Sequence, residues 1–342
     1  MESMFLLNYI AIGDNMKQFE NTITPLELAD CLGGMTVQGV YKTLKSHNIP
    51  TQTTNNRGKI IPAHGIRKLF EERGFQYAKS IISFQIVKGG VGKTSLSFCL
   101  AVRASHYGAK ILAIDLDQQG NLTRSFNVEA RNKSVWINLF RDKVPVEQAL
   151  VELADNLHLI PSNLNNSRLD VELTQSASNL SDLIKDIIAP IRDNYDLIII
   201  DCPPAINKIN TAVTCASDMV LVPINPDPYA MDGLDFTLSE LARIKKEFKL
   251  KFDYRVLWNK YDARERLGAV YMHELTKRED MLNKILPVVC RVDVSMKNAI
   301  FDSKSVFELP KKAPIREDID QFAKEILGIN SWKSLKNNKQ GI

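Results

Sequence analysis

Residues 88–95 read Lys-Gly-Gly-Val-Gly-Lys-Thr-Ser, placed between an apolar run over 81–87 and a helix-like stretch over 96–104. Glycine permits backbone conformations and close approaches that a Cβ blocks. Successive N–H groups of Gly89, Gly90, Val91, Gly92, Lys93, Thr94 and Ser95 can therefore turn inward on phosphate oxygens. On such a loop Lys93 meets the β- and γ-phosphates of a nucleotide and the Thr94 hydroxyl holds Mg²⁺. The strict GxxxxGK[ST] pattern demands glycine where this chain has Val87, so a strict search passes over the loop. Strand, KGGVGKT and helix in succession are nevertheless a more specific signal than a lone glycine-rich turn.

A phosphate loop that hydrolyses its ligand also needs carboxylates to manage Mg²⁺ and water. Two segments offer them: an apolar run from Ile111 to Ile114 leads into Asp115 and Asp117, and Leu197 to Ile200 leads into Asp201. Short, wholly apolar runs suit strands buried on both faces of a parallel sheet, and ligands bind at the carboxyl ends of such strands. The elements that must position these residues are thus those of a doubly wound, mostly parallel α/β sheet of the P-loop NTPase type. Taken singly, an Asp after a strand is as often a turn or cap residue. Behind this loop, three converging on one edge point to chemistry.

The order KGGVGKTS, IDLDQQGN, IIIDCPP, LVPINPDPYAMDGL and VLWNKYDAR resembles the ParA family of DNA-partition ATPases, with its deviant Walker A loop, over roughly residues 80–327. The resemblance implies an ATP-sandwich homodimer in which Lys88 reaches the partner's nucleotide. It implies that Asp117 orients the attacking water, and that Asp115 and Asp201 support Mg²⁺ through its shell. The family's adenine pocket corresponds to Asn259 and the loop from Pro223 to Pro226, although asparagine at a strand end is equally a turn residue. The chain departs from the family pattern at Ile86-Val87, where many members carry Asn-Gln, and at Gln118, where many carry Pro. Both positions are peripheral to the phosphates.

At 342 residues the chain leaves residues 1–78 ahead of an ATPase region over 79–330, with a mildly basic tail over 331–342. Thr24, Pro25 and Glu27 form a capping box with a proline start, so a helix is expected there. Gly33-Gly34 breaks the chain, and Val37, Val40, Tyr41 and Leu44 follow at helical spacing. A turn over 55–58 between short β-branched or polar runs suggests a hairpin wing, and a further helix is expected over 64–73. This reads as a winged helix-turn-helix that binds DNA, with Thr36, Gln38, Lys42 and Lys45 toward the major groove and Arg57 and Lys59 on phosphates. A protein-interaction or dimerisation module is the alternative, and the apolar stretch from Phe5 to Ile12 could pack between protomers. Residues 1–78 hold eight Lys/Arg against seven Asp/Glu, so no basic patch announces itself.

The whole-chain charge of +4 is mild, but Lys297, Lys304, Lys311, Lys312 and Arg316, with Lys333, Lys336 and Lys339, form basic runs. A solvated face is the ordinary explanation of such runs. The family resemblance makes them a candidate surface for non-specific DNA. Cys31, Cys99, Cys202, Cys215 and Cys290 show no CxxC and no metal-like His pairing. Buried, reduced thiols in a cytoplasmic, nucleoid-associated protein are expected. The start of the chain lacks a secretory pattern and is too short in apolar length to span a bilayer.

The expectation is an ATPase of weak intrinsic turnover that uses ATP and Mg²⁺, partitions DNA with a ParB-like centromere-binding partner and represses its own operon. One alternative is a nucleotide-sensing transcriptional regulator with little turnover. The other is a membrane-positioning ATPase of the MinD type, although the tail lacks a continuous apolar stripe.

Overall fold

The computed structural model describes residues 21–54, 58–176, 179–309 and 313–340. The apolar stretch from Phe5 to Ile12, together with Arg57, Lys311 and Lys312, lies outside the described residues.

The chain opens with a short strand β1 (Thr22–Ile23) and helix α1 (Pro25–Cys31). The capping box forms: the Glu27 N–H donates to the Thr24 hydroxyl at 3.3 Å, and Glu27 accepts from the Thr24 N–H at 2.8 Å. Gly33 and Gly34, with φ of 83° and 77°, turn the chain through left-handed backbone that only glycine adopts freely. Helix α2 (Val37–Ser46) follows, capped by Thr36. Val40 and Leu44 are buried, whereas Val37 and Tyr41 stay 37% and 40% exposed, because α2 is covered on one side only. Strands β2 (Gln52–Thr53) and β3 (Lys59–Pro62) pair antiparallel as a hairpin, and helix α3 (Ala63–Glu72) comes next. Strand β1 joins the other edge of β3, an addition that two residues are too short to announce by periodicity.

The main sheet has eight strands: β4 (Ser80–Phe84), β5 (Ile111–Asp115), β6 (Val151–Ala154), β7 (Leu157–Ile160), β8 (Leu197–Asp201), β9 (Met219–Ile224), β10 (Asp253–Tyr261) and β11 (Ile285–Arg291). Their order is β11-β10-β9-β4-β8-β5-β7-β6, parallel throughout except for the β6–β7 pair. Every residue of β5 and β8 is buried, as continuous apolar runs covered on both faces require. The loop of residues 88–92 leaves β4 and enters helix α4 (Lys93–His106), which packs against the helix Pro314–Leu327.

The N-terminal elements do not stand apart from this body. Their core of Leu28, Val40, Leu44, Ile61, Ile66 and Phe70 is continuous with Tyr107, at the end of α4, and with Ile329. The stretch expected as a tail is helical over Ile329–Gln340, and Trp332 packs its ring 5.3 Å from those of Phe70 and Phe75. Charges reinforce the joint. Arg103, its side chain 2% exposed, pairs with Glu27 at 2.9 Å and Asp320 at 2.5 Å. Lys324 is equally enclosed between Asp320 and Asp30, and Arg67 binds Asp196. Burial alone would pull the Arg103 guanidinium down, but Tyr107, Asp320 and Glu27 hold it up.

Candidate nucleotide-binding site

Parallel pairing builds the centre of the site. Asp115 and Asp201 are register partners at the ends of β5 and β8, and Phe84 of β4 lies opposite Asp201. Both carboxylates are fully buried. Burial drives each pKa upward, with Asp201 adding to the effect on Asp115, while Thr123 opposes it on Asp115 and Thr94 on Asp201. Lys93 opens α4, is 7% exposed, and is pulled below its ordinary pKa by burial, against the opposing charges of Asp201 and Asp117. The Thr94 hydroxyl donates to Asp201 Oδ2 at 2.7 Å, and the Ser97 hydroxyl reaches Oδ1 at 3.5 Å. Ser95 sits in the same first turn of α4.

This donor set fits Mg²⁺. Asp115, Asp117 and Asp201 are all buried here beside a single buried ammonium, Lys93, so a further cation relieves them, and the Thr94–Asp201 pair presents hard oxygens at one point. Among the described residues no group of three or more His, Cys, Asp or Glu forms a metal cage. A hard cation held by few protein oxygens takes its remaining ligands from phosphates and water. Asp115 also shapes the following loop: its carboxylate accepts from the Thr123 N–H at 2.8 Å, the Thr123 hydroxyl at 2.7 Å and the Asp117 N–H at 3.2 Å. Asp117, 8% exposed, accepts from the Gln119 N–H.

The phosphate loop is held by its neighbours. Gly90 and Gly92 have φ of 75° and 94°, and a Cβ on Gly92 would collide with Asn259 Nδ2. Nothing lies within 4 Å of a Cβ at Gly89 or Gly90, so the face of the loop there is open. Val91 is fully buried. Asn259, expected at an adenine pocket or a turn, is 3% exposed and donates to Val91 O at 2.7 Å, so its amide acts on the loop itself. Pro223 lies within β9 opposite Leu257. Lys88 pairs with Asp227, the N-cap of the helix Pro228–Glu247, and lies 5.8 Å from the Tyr229 ring. Sequence reasoning missed Asp227 and Tyr229, whose PDPY context signals only a helix start.

The expected DNA-facing residues fall on α2 and the hairpin. Thr36, Gln38, Lys42 and Lys45 are exposed on or beside α2, with the Thr36 hydroxyl engaged by the Gly39 N–H as a cap. Lys59 binds Thr53 across the hairpin at 2.6 Å. Arg316 is a correction. Its guanidinium donates to the carbonyls of Val306, Phe307 and Leu309, so it anchors a turn rather than offering charge to solvent. Lys297 lies close enough to Lys260, beside the phosphate loop, to affect its titration.

Residues 79–254 match a family model described as an AAA domain. The chain is similar to the sporulation initiation inhibitor protein Soj of Bacillus subtilis, 30% identical over 60% of this chain and 83% of that protein. It is 26% identical to the chromosome partitioning protein ParA of Caulobacter vibrioides, over 70% of this chain and 91% of that one. Among solved structures, a plasmid partition protein of Borrelia burgdorferi bound to AMPPNP shares the fold, with a TM-score of 0.61 and 21% identity over 75% of this chain and 99% of its own. The loop, the paired strand-end aspartates and these likenesses agree, and the chain belongs to the ParA/MinD family of P-loop partition ATPases.

Proposed function

We propose that the protein hydrolyses ATP as a sandwich dimer and thereby partitions or positions a DNA cargo. The observation that carries this reading is the convergence of Lys93, Thr94 and the two buried aspartates on one loop mouth, with Lys88 turned to its edge. ATP lays its β- and γ-phosphates on the N–H groups from Gly89 to Ser95, and Lys93 offsets their charge. Thr94 and Asp201, with Asp115 behind them, would hold Mg²⁺, which would supply positive charge to offset that of the phosphates. Asp117 orients a water whose oxygen attacks the γ-phosphorus as the bond to the β–γ bridging oxygen breaks, releasing ADP and hydrogen phosphate, which keeps one of the water's protons while the other passes to solvent. Such catalysis is positioning and electrostatics. Lys88 exchanges Asp227 for the nucleotide of the facing protomer. Asn259 supports the loop from behind, its amide held on the Val91 carbonyl.

In this cycle the ATP dimer grips DNA without sequence preference through surface lysines, and a ParB-like protein stimulates hydrolysis and release. The N-terminal module reads an operator with Gln38, Lys42 and Lys45 of α2, with Lys59 of the hairpin on phosphate. A second reading, a nucleotide-sensing regulator, is favoured by one observation: α1 is tied through Glu27 and Arg103 to the helix that starts at the phosphate loop. The MinD-type alternative gains nothing from the C-terminal helix, whose Trp332 packs inward. No described helix is long and apolar enough to cross a membrane.

Turnover by the purified protein, with and without random-sequence DNA, separates these readings. Partition predicts slow hydrolysis that rises with DNA and falls as salt weakens phosphate contacts. Nucleotide-dependent operator binding with no turnover under any condition, partner included, would favour the regulator.

A further inference from the structure

Asn259 and Lys260 are consecutive residues of β10, and in a regular strand their side chains would point to opposite faces. Here both reach the phosphate loop: Asn259 donates to Val91 O, and the Lys260 ammonium donates to Gly90 O. The backbone explains how. Lys260 has φ of 53°, in the left-handed region, and the pairing of β10 with β11 shifts register between Trp258 and Tyr261. A non-glycine residue held there is costly and persists where the surroundings over-determine it. The irregularity aims two neighbouring donors at two successive carbonyls.

In a trans peptide the carbonyl and the following N–H point in opposite directions. Fixing Gly90 O and Val91 O therefore fixes the N–H groups of Val91 and Gly92. We propose that Lys260 is a positioning residue of the nucleotide site, which with Asn259 holds the Gly90 and Val91 carbonyls away from the anion so that the next two N–H groups face the phosphates before any ligand arrives. The inference deepens the proposed function and rests on it for the identity of the anion. Burial lowers the pKa of the same ammonium, Lys297 and Lys88 add to that and Asp227 opposes it, so the clamp sits beside the Lys88–Asp227 pair. Preorganised donors gain affinity because the loop no longer has to be ordered by the ligand.

The test compares the full chain with Lys260→Met and Lys260→Arg. Methionine is unbranched like lysine, so the left-handed backbone is not further penalised. In nucleotide-free protein, hydrogen exchange of the Val91 and Gly92 amides should quicken in Lys260→Met, with exchange in β5 and β8 unchanged, and Lys260→Arg should restore most of the protection. The ATP dissociation constant should rise about tenfold in Lys260→Met, the size of one hydrogen bond from a charged donor. Unchanged exchange at Val91 and Gly92 overturns the proposal. If affinity falls while exchange does not change, Lys260 is a direct phosphate contact instead. A wild-type protein that binds no ATP would sink the nucleotide reading, and the exchange comparison would still decide the clamp.

Discussion

Gly92 is the residue at which the loop tolerates least. Its φ of 94° and the close approach of the Asn259 amide to where a Cβ would stand oppose any side chain from two directions. Gly92→Ala should abolish ATP binding, read by calorimetry, while leaving the unfolding temperature within a few degrees. Near-native affinity would mean that the loop rearranges on binding. Lys88→Ala and Asp117→Ala should separate two tasks. The first should bind ATP yet fail to dimerise, and the second should dimerise and hold ATP unhydrolysed. Full turnover by either variant contradicts its assigned role. The glycines, Lys93, Thr94 and the strand-end aspartates were legible because their chemistry is local in sequence. Asp227 and Lys260 were not, since one is 139 residues from Lys88 and the other depends on a left-handed backbone that a lysine does not advertise.

Among the elements, α4 has one end at the glycine-rich loop and the other in the joint with the N-terminal elements. Glu27 and Asp320 lie below the usual carboxylate range: burial alone would raise both, and Arg103, joined by Lys324 at Asp320, outweighs it. A depressed carboxylate stabilises fully above its unfolded pKa of about 4 and loses that contribution as pH falls through the lower folded value. Thermal stability should therefore drop steeply below about pH 4. Arg103→Met leaves two half-buried carboxylates and their enclosed surroundings without the cation and should cost about 3 kcal/mol near neutrality. It should also flatten the acid limb of a plot of melting temperature against pH; an unchanged acid limb would show that the joint is not electrostatic. Trp332→Ala should destabilise by about 3 kcal/mol through the cavity left between Phe70 and Phe75, as read in denaturant unfolding. The capping box at Thr24 was readable, since it is four residues of local chemistry. The shared core was not: pairings such as Arg103 with Asp320 span 217 residues, and no pattern along the chain encodes them.

For the molecule as a whole, the doubly wound sheet was legible from runs such as Ile111–Ile114 and Leu197–Ile200, which are too apolar for any position but the centre. The antiparallel β6–β7 edge was not, because Val151–Ala154 is four residues long and carries no period-two alternation, its exposed half preceding its buried half. The site is built by one protomer up to Lys88, whose ammonium rests on Asp227 at the rim rather than over its own loop. In the proposed cycle the ATP-bound dimer completes the site, and every later step depends on it. Sedimentation of Asp117→Ala with saturating ATP and Mg²⁺, beside the same protein carrying Lys88→Ala, decides whether that dimer exists. A nucleotide-dependent dimer is expected for the first and a nucleotide-bound monomer for the second. An ATP-dependent dimer that forms equally well without Lys88 would remove the cross-interface lysine and the sandwich with it.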